Sequence, residues 1–142
     1  MRKRTEELLN EIENCEQIKE YLADNGEEIC RLSLSDHLRA MQQKYGVKKS
    51  ELFRRAGQAG SNYGYELFRD DTKTPSRDIL LAICLAFPMT IAETQTALRC
   101  AGLSVLYPRD ARDAYILFAL KNKLTVDELD ELLEEQKLST LL

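Results

Sequence analysis

The sequence predicts an all-α protein: a bundle of about five helices, preceded by an amphipathic helix and followed by two more. Three observations carry this. Apolar residues recur at three- and four-residue spacing through nearly the whole chain. No segment alternates with period two for long enough to make a strand. Serine, threonine, glycine and proline fall at helix-length intervals, where helices start and stop. With 142 residues, 44% hydrophobic and 31% charged, the chain can bury a sizeable core. The organisation expected is an N-terminal amphipathic extension over 1–30, a central domain over 31–104, and a C-terminal helical extension over 105–142 packed on that domain.

Leu8, Leu9, Ile12, Cys15, Ile18 and Leu22 make one stripe, so residues 5–23 read as a single amphipathic helix that Asn25-Gly26 stops. A second helix begins near Ser35 as N-cap, turns Leu38 and Met41 inward, and ends at Gly46. "KKSELFRRAG" is a short third helix with Leu52, Phe53 and Ala56 apolar and Gly57 at its end. After "QAGS" comes "NYGYELF", where Tyr63 and Tyr65 stand two apart and cannot share a face. One of the two belongs in the core, in competition with Leu67 and Phe68.

"TPSRDILLAICLAF" places Pro75 near a helix start, a nearly continuous buried run from Ile79 to Phe87, and Pro88 as the stop. Thr90 and Glu93 form a capping-box pair ahead of a helix that closes on Gly102, and Thr125 with Glu128 repeats the device near the C-terminus. Between them, Tyr115, Ile116, Leu117, Phe118 and Leu120 cover most of one helix circumference, which predicts a well-buried segment.

Composition narrows the function. No apolar run approaches the ~20 residues that span a bilayer, and the opening "MRKRTEELLNEIENC" lacks the apolar core of a signal peptide. The chain reads as cytoplasmic, without a membrane partner. Cys15, Cys30, Cys84 and Cys100 show no C-x-x-C spacing, so neither zinc nor a disulfide framework is expected, and Cys84 and Cys100 read as buried thiols. The single histidine, His37, follows a helix start and reads as a surface or capping residue. No catalytic motif or phosphate loop is present, so neither an enzyme nor a cofactor is expected. Net charge is −4, unevenly spread: −4 over 1–35, +3 over 36–78 and −3 over 79–142. The basic middle is a hint of a local anion-binding face.

From Ser35 to about Gly102 the order of signals resembles the Cro and phage-repressor type helix-turn-helix family, often called Xre-like. The residues that carry the likeness are Tyr45-Gly46-Val47, Leu52 before Ala56-Gly57, and the run from Lys73 through Pro75-Ser76 to Leu80. The resemblance implies a lambda-repressor-like bundle of about five helices and a bacterial or phage transcriptional regulator that binds double-stranded DNA in the major groove. It also implies a homodimer on a two-fold site, held by the N-terminal helix or the last two helices, either of which could instead take a protein partner. The alternative is the same fold reused as an interaction, adaptor or antitoxin-like module without DNA.

Two departures fall on "GQAGSNYGY". "QAGSN" holds one extra residue before Tyr63, and Phe53 and Gly64 occupy positions where the family places a small residue and a Val or Ile, respectively. In the family these positions face each other across the helix crossing, so the pair reads as a size exchange that conserves volume. The base-contact candidates that follow are Ser61, Asn62, Tyr63, Tyr65 and Glu66. The phosphate-contact candidates are Lys48, Lys49, Thr72, Lys73 and Arg77, with Arg54, Arg55 and Arg69 in reserve.

Overall fold

A computed structural model describes residues 3–24, 33–57, 62–69 and 74–142. All regular structure among them is α-helical: α1 (Thr5–Asn14), α2 (Ile18–Asp24), α3 (Leu34–Tyr45), α4 (Lys49–Arg55), α5 (Asn62–Leu67), α6 (Arg77–Ala86), α7 (Ile91–Cys100), α8 (Ala111–Lys121) and α9 (Val126–Glu135). None of these helices is long and apolar enough to cross a membrane. Contacts divide the chain into two compact units, 1–31 and 32–142.

The first unit holds α1 and α2, which contact each other. The one long helix expected over 5–23 is broken at Cys15, whose backbone is extended with ψ 142°. At the break the Cys15 amide turns to the Ile12 carbonyl at 3.3 Å, and the Asn14 side-chain amide donates back to the Asn10 carbonyl at 2.7 Å.

In the second unit α6 is the central pillar. Every residue from Leu80 to Phe87 is buried, as a helix that is apolar on all sides must be. It packs against α4, α7 and α9, while α3 lies on α7 and α8 joins α7 to α9. Ser76 caps α6 through the Ile79 amide at 3.2 Å. Both expected capping boxes form, at Thr90/Glu93 and Thr125/Glu128. Cys84 lies inside the pillar, and burial pushes its thiol up to about 12, which leaves it an inert hydrophobe. Cys100 is only partly buried.

Three local expectations change. The cap of α3 is Ser33, whose hydroxyl accepts from the Asp36 amide, so Ser35 lies inside the helix and is buried. His37 is buried as well, and its Nε2–H donates to the Glu93 carbonyl at 3.0 Å, tying α3 to α7. In α8, Ile116, Ala119 and Leu120 are buried, on the side packed against α7 and α9, but Phe118 faces outward.

The tie between α3 and α7 is centred on Glu93. Its carboxylate accepts from Lys44, from Tyr45 and from the Thr90 amide. Burial would raise its pKa, but these donors outweigh burial and hold it down to about 2. A second tie joins the start of α6 to α8. Arg77 Nη1 and Nη2 reach the two Asp113 carboxylate oxygens at 3.0 and 2.9 Å, and Nε and Nη2 donate to the Ser104 and Val105 carbonyls.

Candidate nucleic-acid interface

The segment that resembles a DNA reader folds as α4, a connection, and the short helix α5. Lys48 precedes α4 without capping it, and Gly57 leaves α4 with φ +71°, a left-handed conformation suited to glycine. Between these ends α4 buries Leu52, Phe53 and Ala56 against α6.

Phe53 and Gly64 meet as the size exchange requires. A Cβ placed on Gly64 would lie 2.5, 2.8 and 2.9 Å from Phe53 Cε1, Cδ1 and Cζ. Carbon pairs rest at about 3.5–4.0 Å, so the ring occupies the volume that any side chain at 64 would need. Gly64 is therefore a site of close approach inside a helix. The Phe53 ring goes on to meet Tyr65 edge-on, with centroids 4.6 Å apart, and Phe68 at 6.0 Å. Phe68 continues the chain of rings to Phe87 at 6.3 Å.

This packing sorts α5. Gly64, Leu67 and Phe68 face the core, whereas Tyr65 is 36% exposed, with one edge held by Phe53 and the rest outward. Glu66 is half-buried. Asn62 and Tyr63 lie in the first turn of α5, with side chains outside the described residues. Ser61, Thr72 and Lys73 also lie outside them, as does the connection over 58–61, where an extra residue is expected.

The cations divide into two groups. Lys48 is exposed, and among the described residues no carboxylate pairs with it. Lys49 is half-buried, with Nζ 5.0 Å from the Phe68 ring centroid, a cation–π contact that fixes the ammonium beside the end of α5. Arg69 is exposed just beyond α5. The second group is engaged internally. Arg54 and Arg55 both pair with Glu51, and these hydrogen bonds hold its carboxyl down to about 2. Arg77, expected to clamp phosphate, has its guanidinium on Asp113 and two carbonyls. Burial raises the Asp113 pKa, but Arg77 and the Tyr107 amide bring it below the usual carboxylate range.

Arg39, which no motif in the sequence marks, donates from Nη1 to the Phe68 carbonyl at 2.6 Å, satisfying an acceptor just past α5. Nothing local in the sequence signals a bond between positions 29 apart. A shallow cleft of about 400 Å³ near the end of α6 is edged by Arg55 and Lys123. Arg55 donates there to the Ala86 carbonyl in the last turn of α6, and Lys123 to those of Pro88 and Met89 just past it. Compared with protein-family models, curated proteins and solved structures, the chain has no significant match in any of the three.

Proposed function

We propose that the chain is a sequence-specific, DNA-binding transcriptional regulator of bacterial or phage type, with α4 and α5 as its helix-turn-helix in a lambda-repressor-like bundle. The observation that carries this reading is the division of α5. One face is locked on Phe53 through Gly64, and the other offers Tyr65 from a supported ring, while the Lys49 ammonium lies over the Phe68 ring just past the end of the same helix and Lys48 next to it is exposed. A groove-reading helix needs this combination, because phosphate contacts set its register and outward side chains read base edges. Two copies would bind a two-fold site, since a single small module makes few base contacts.

The test is titration with mixed-sequence duplex DNA at about 50 mM and then about 150 mM salt. Binding should weaken steeply with salt. Lys48→Ala with Lys49→Ala should weaken it on every sequence and flatten the salt slope by about two phosphates' worth. An absence of binding at the lower salt sinks the reading.

A second reading, the same fold as a protein-interaction module, is favoured by one specific observation. Arg54, Arg55 and Arg77 all have carboxylate partners within the chain, so the positive field around α4 and α5 is thinner than the basic count of 36–78 suggests. Capture of a protein partner that Lys48→Ala leaves intact, with no DNA affinity, would select it.

A further inference from the structure

Past α9 the chain runs back across the second unit, and its course is pinned at every step. Arg112 on α8 donates from Nε to the Ser139 carbonyl at 2.8 Å and from Nη2 to the Thr140 carbonyl at 3.1 Å. The same guanidinium reaches Asp78 in the first turn of α6 at 3.0 Å. Asp130 on α9 accepts the Leu141 and Leu142 amides, one on each carboxylate oxygen, at 2.7 and 3.3 Å. Leu141 is buried in the core. Leu142 then lies against Gly57: a Cβ on that glycine would stand 2.6 Å from Leu142 Cδ1 and 3.3 Å from Cδ2. Leu142 as a whole is 52% exposed.

We propose that residues 139–142 form a positioning strap for the α4–α5 pair, with Arg112 and Asp130 as its anchors and Leu142 as the part that acts. Gly57 is the residue on which the chain leaves α4 toward α5, and its left-handed φ sets that exit. Glycine alone does not hold such a conformation, because it visits both signs of φ freely. Leu142 fills the space beside its Cα, so rotation away from the observed φ meets a side chain that α8 and α9 keep in place. The effect on DNA affinity rests on the function proposed above; the effect on Gly57 does not. Where the binding-competent arrangement is populated to a fraction f, the apparent dissociation constant is the intrinsic one divided by f. Freeing Gly57 lowers f.

The experiment uses the full chain as wild type, Leu142→Ala, Leu142→Met and Asp130→Asn, at a temperature well below unfolding of each. Two quantities are read: exchange of the Gly57 amide, which donates to the Arg54 carbonyl, and affinity for a mixed-sequence duplex at about 50 mM salt. Leu142→Ala should speed Gly57 exchange and weaken DNA roughly three- to tenfold, with little change in thermal midpoint. Leu142→Met should restore both, and Asp130→Asn should reproduce the alanine variant. Gly57 exchange at the wild-type rate in Leu142→Ala overturns the strap, whatever Asp130→Asn does to folding. Faster exchange with unchanged DNA affinity overturns its role in binding. Faster exchange in a protein that never binds the duplex supports the strap and removes the DNA reading instead.

Discussion

Replacing Gly64 by valine forces a side chain into space that Phe53 already fills, and the cost can be worked from the geometry. The nearest ring atom lies 2.5 Å from where Cβ would be, about 1 Å inside the resting distance of two carbons. Phe53 cannot retreat freely, since it is buried and flanked by the rings of Tyr65 and Phe68. Overpacking of this kind costs about 1–3 kcal/mol. Against it stands helix propensity, which favours alanine over glycine by about 1 kcal/mol. Gly64→Ala should therefore come out near neutral to destabilising by about 2 kcal/mol. Gly64→Val, with two further methyls and a smaller propensity gain, should lose about 2 kcal/mol or more.

The decisive measurement is a double-mutant cycle with Phe53→Ala, which alone should cost about 3–5 kcal/mol. Valine at 64 then enters the cavity that alanine opens, so the pair should be less damaging than the sum of the singles by about 1–3 kcal/mol. Urea unfolding followed by circular dichroism gives each value, provided that the slope m is unchanged. Additivity within about 0.5 kcal/mol would refute the reasoning, as would Gly64→Ala gaining its full propensity advantage.

Glu93 predicts acid sensitivity. A carboxyl held at about 2 against an ordinary 4.5 contributes stability that is present above the unfolded pKa and lost as pH falls from about 5 toward 2. The shift corresponds to about 3 kcal/mol, and Glu93→Gln should flatten that limb of the stability–pH curve. Arg77→Met should cost about 2–4 kcal/mol, because it leaves Asp113 partly buried without its partner; a change under about 0.5 kcal/mol would return Arg77 to the pool of phosphate ligands. Lys123 and Lys137 both sit past helix ends at positive φ, 55° and 59°. Lys137→Gly should raise stability by about 0.5–1 kcal/mol by relieving that conformation. Lys123→Gly should not, since it also loses the bonds to the Pro88 and Met89 carbonyls.

Features written in short spacings were legible in the sequence. The capping boxes at Thr90 and Thr125, the stop at Gly46 and the buried run of α6 each depend on residues within one or two turns. The facing of Phe53 and Gly64 was expected through the family resemblance alone, in which the two positions oppose each other across the helix crossing. Features decided by long-range partners were not legible. His37 reads as a surface residue until α7 brings the Glu93 carbonyl to it. Arg77 reads as a phosphate ligand until α8 brings Asp113. The break at Cys15 is local, but the apolar stripe runs on past it through Ile18, so periodicity gives no sign of it.

The fate of Arg77 bears on which role the fold serves. Once its guanidinium is bound to Asp113, the candidate cations left around α4 and α5 among the described residues are Lys48, Lys49 and Arg69, and Lys49 is steered by the Phe68 ring. Among the described residues, these three charges and one supported tyrosine make a surface whose affinity depends on geometry more than on charge density. Its non-specific DNA binding should accordingly be weak and lost early with salt, while any specific binding should depend on Tyr65 and on what holds it. Tyr65→Phe removes only the hydroxyl and keeps the contact with Phe53, whereas Phe53→Leu keeps the tyrosine and removes the support. Similar losses of DNA affinity from both, with folding intact, would mean that α5 reads through a positioned ring. A loss from neither would move the functional surface away from α5 altogether.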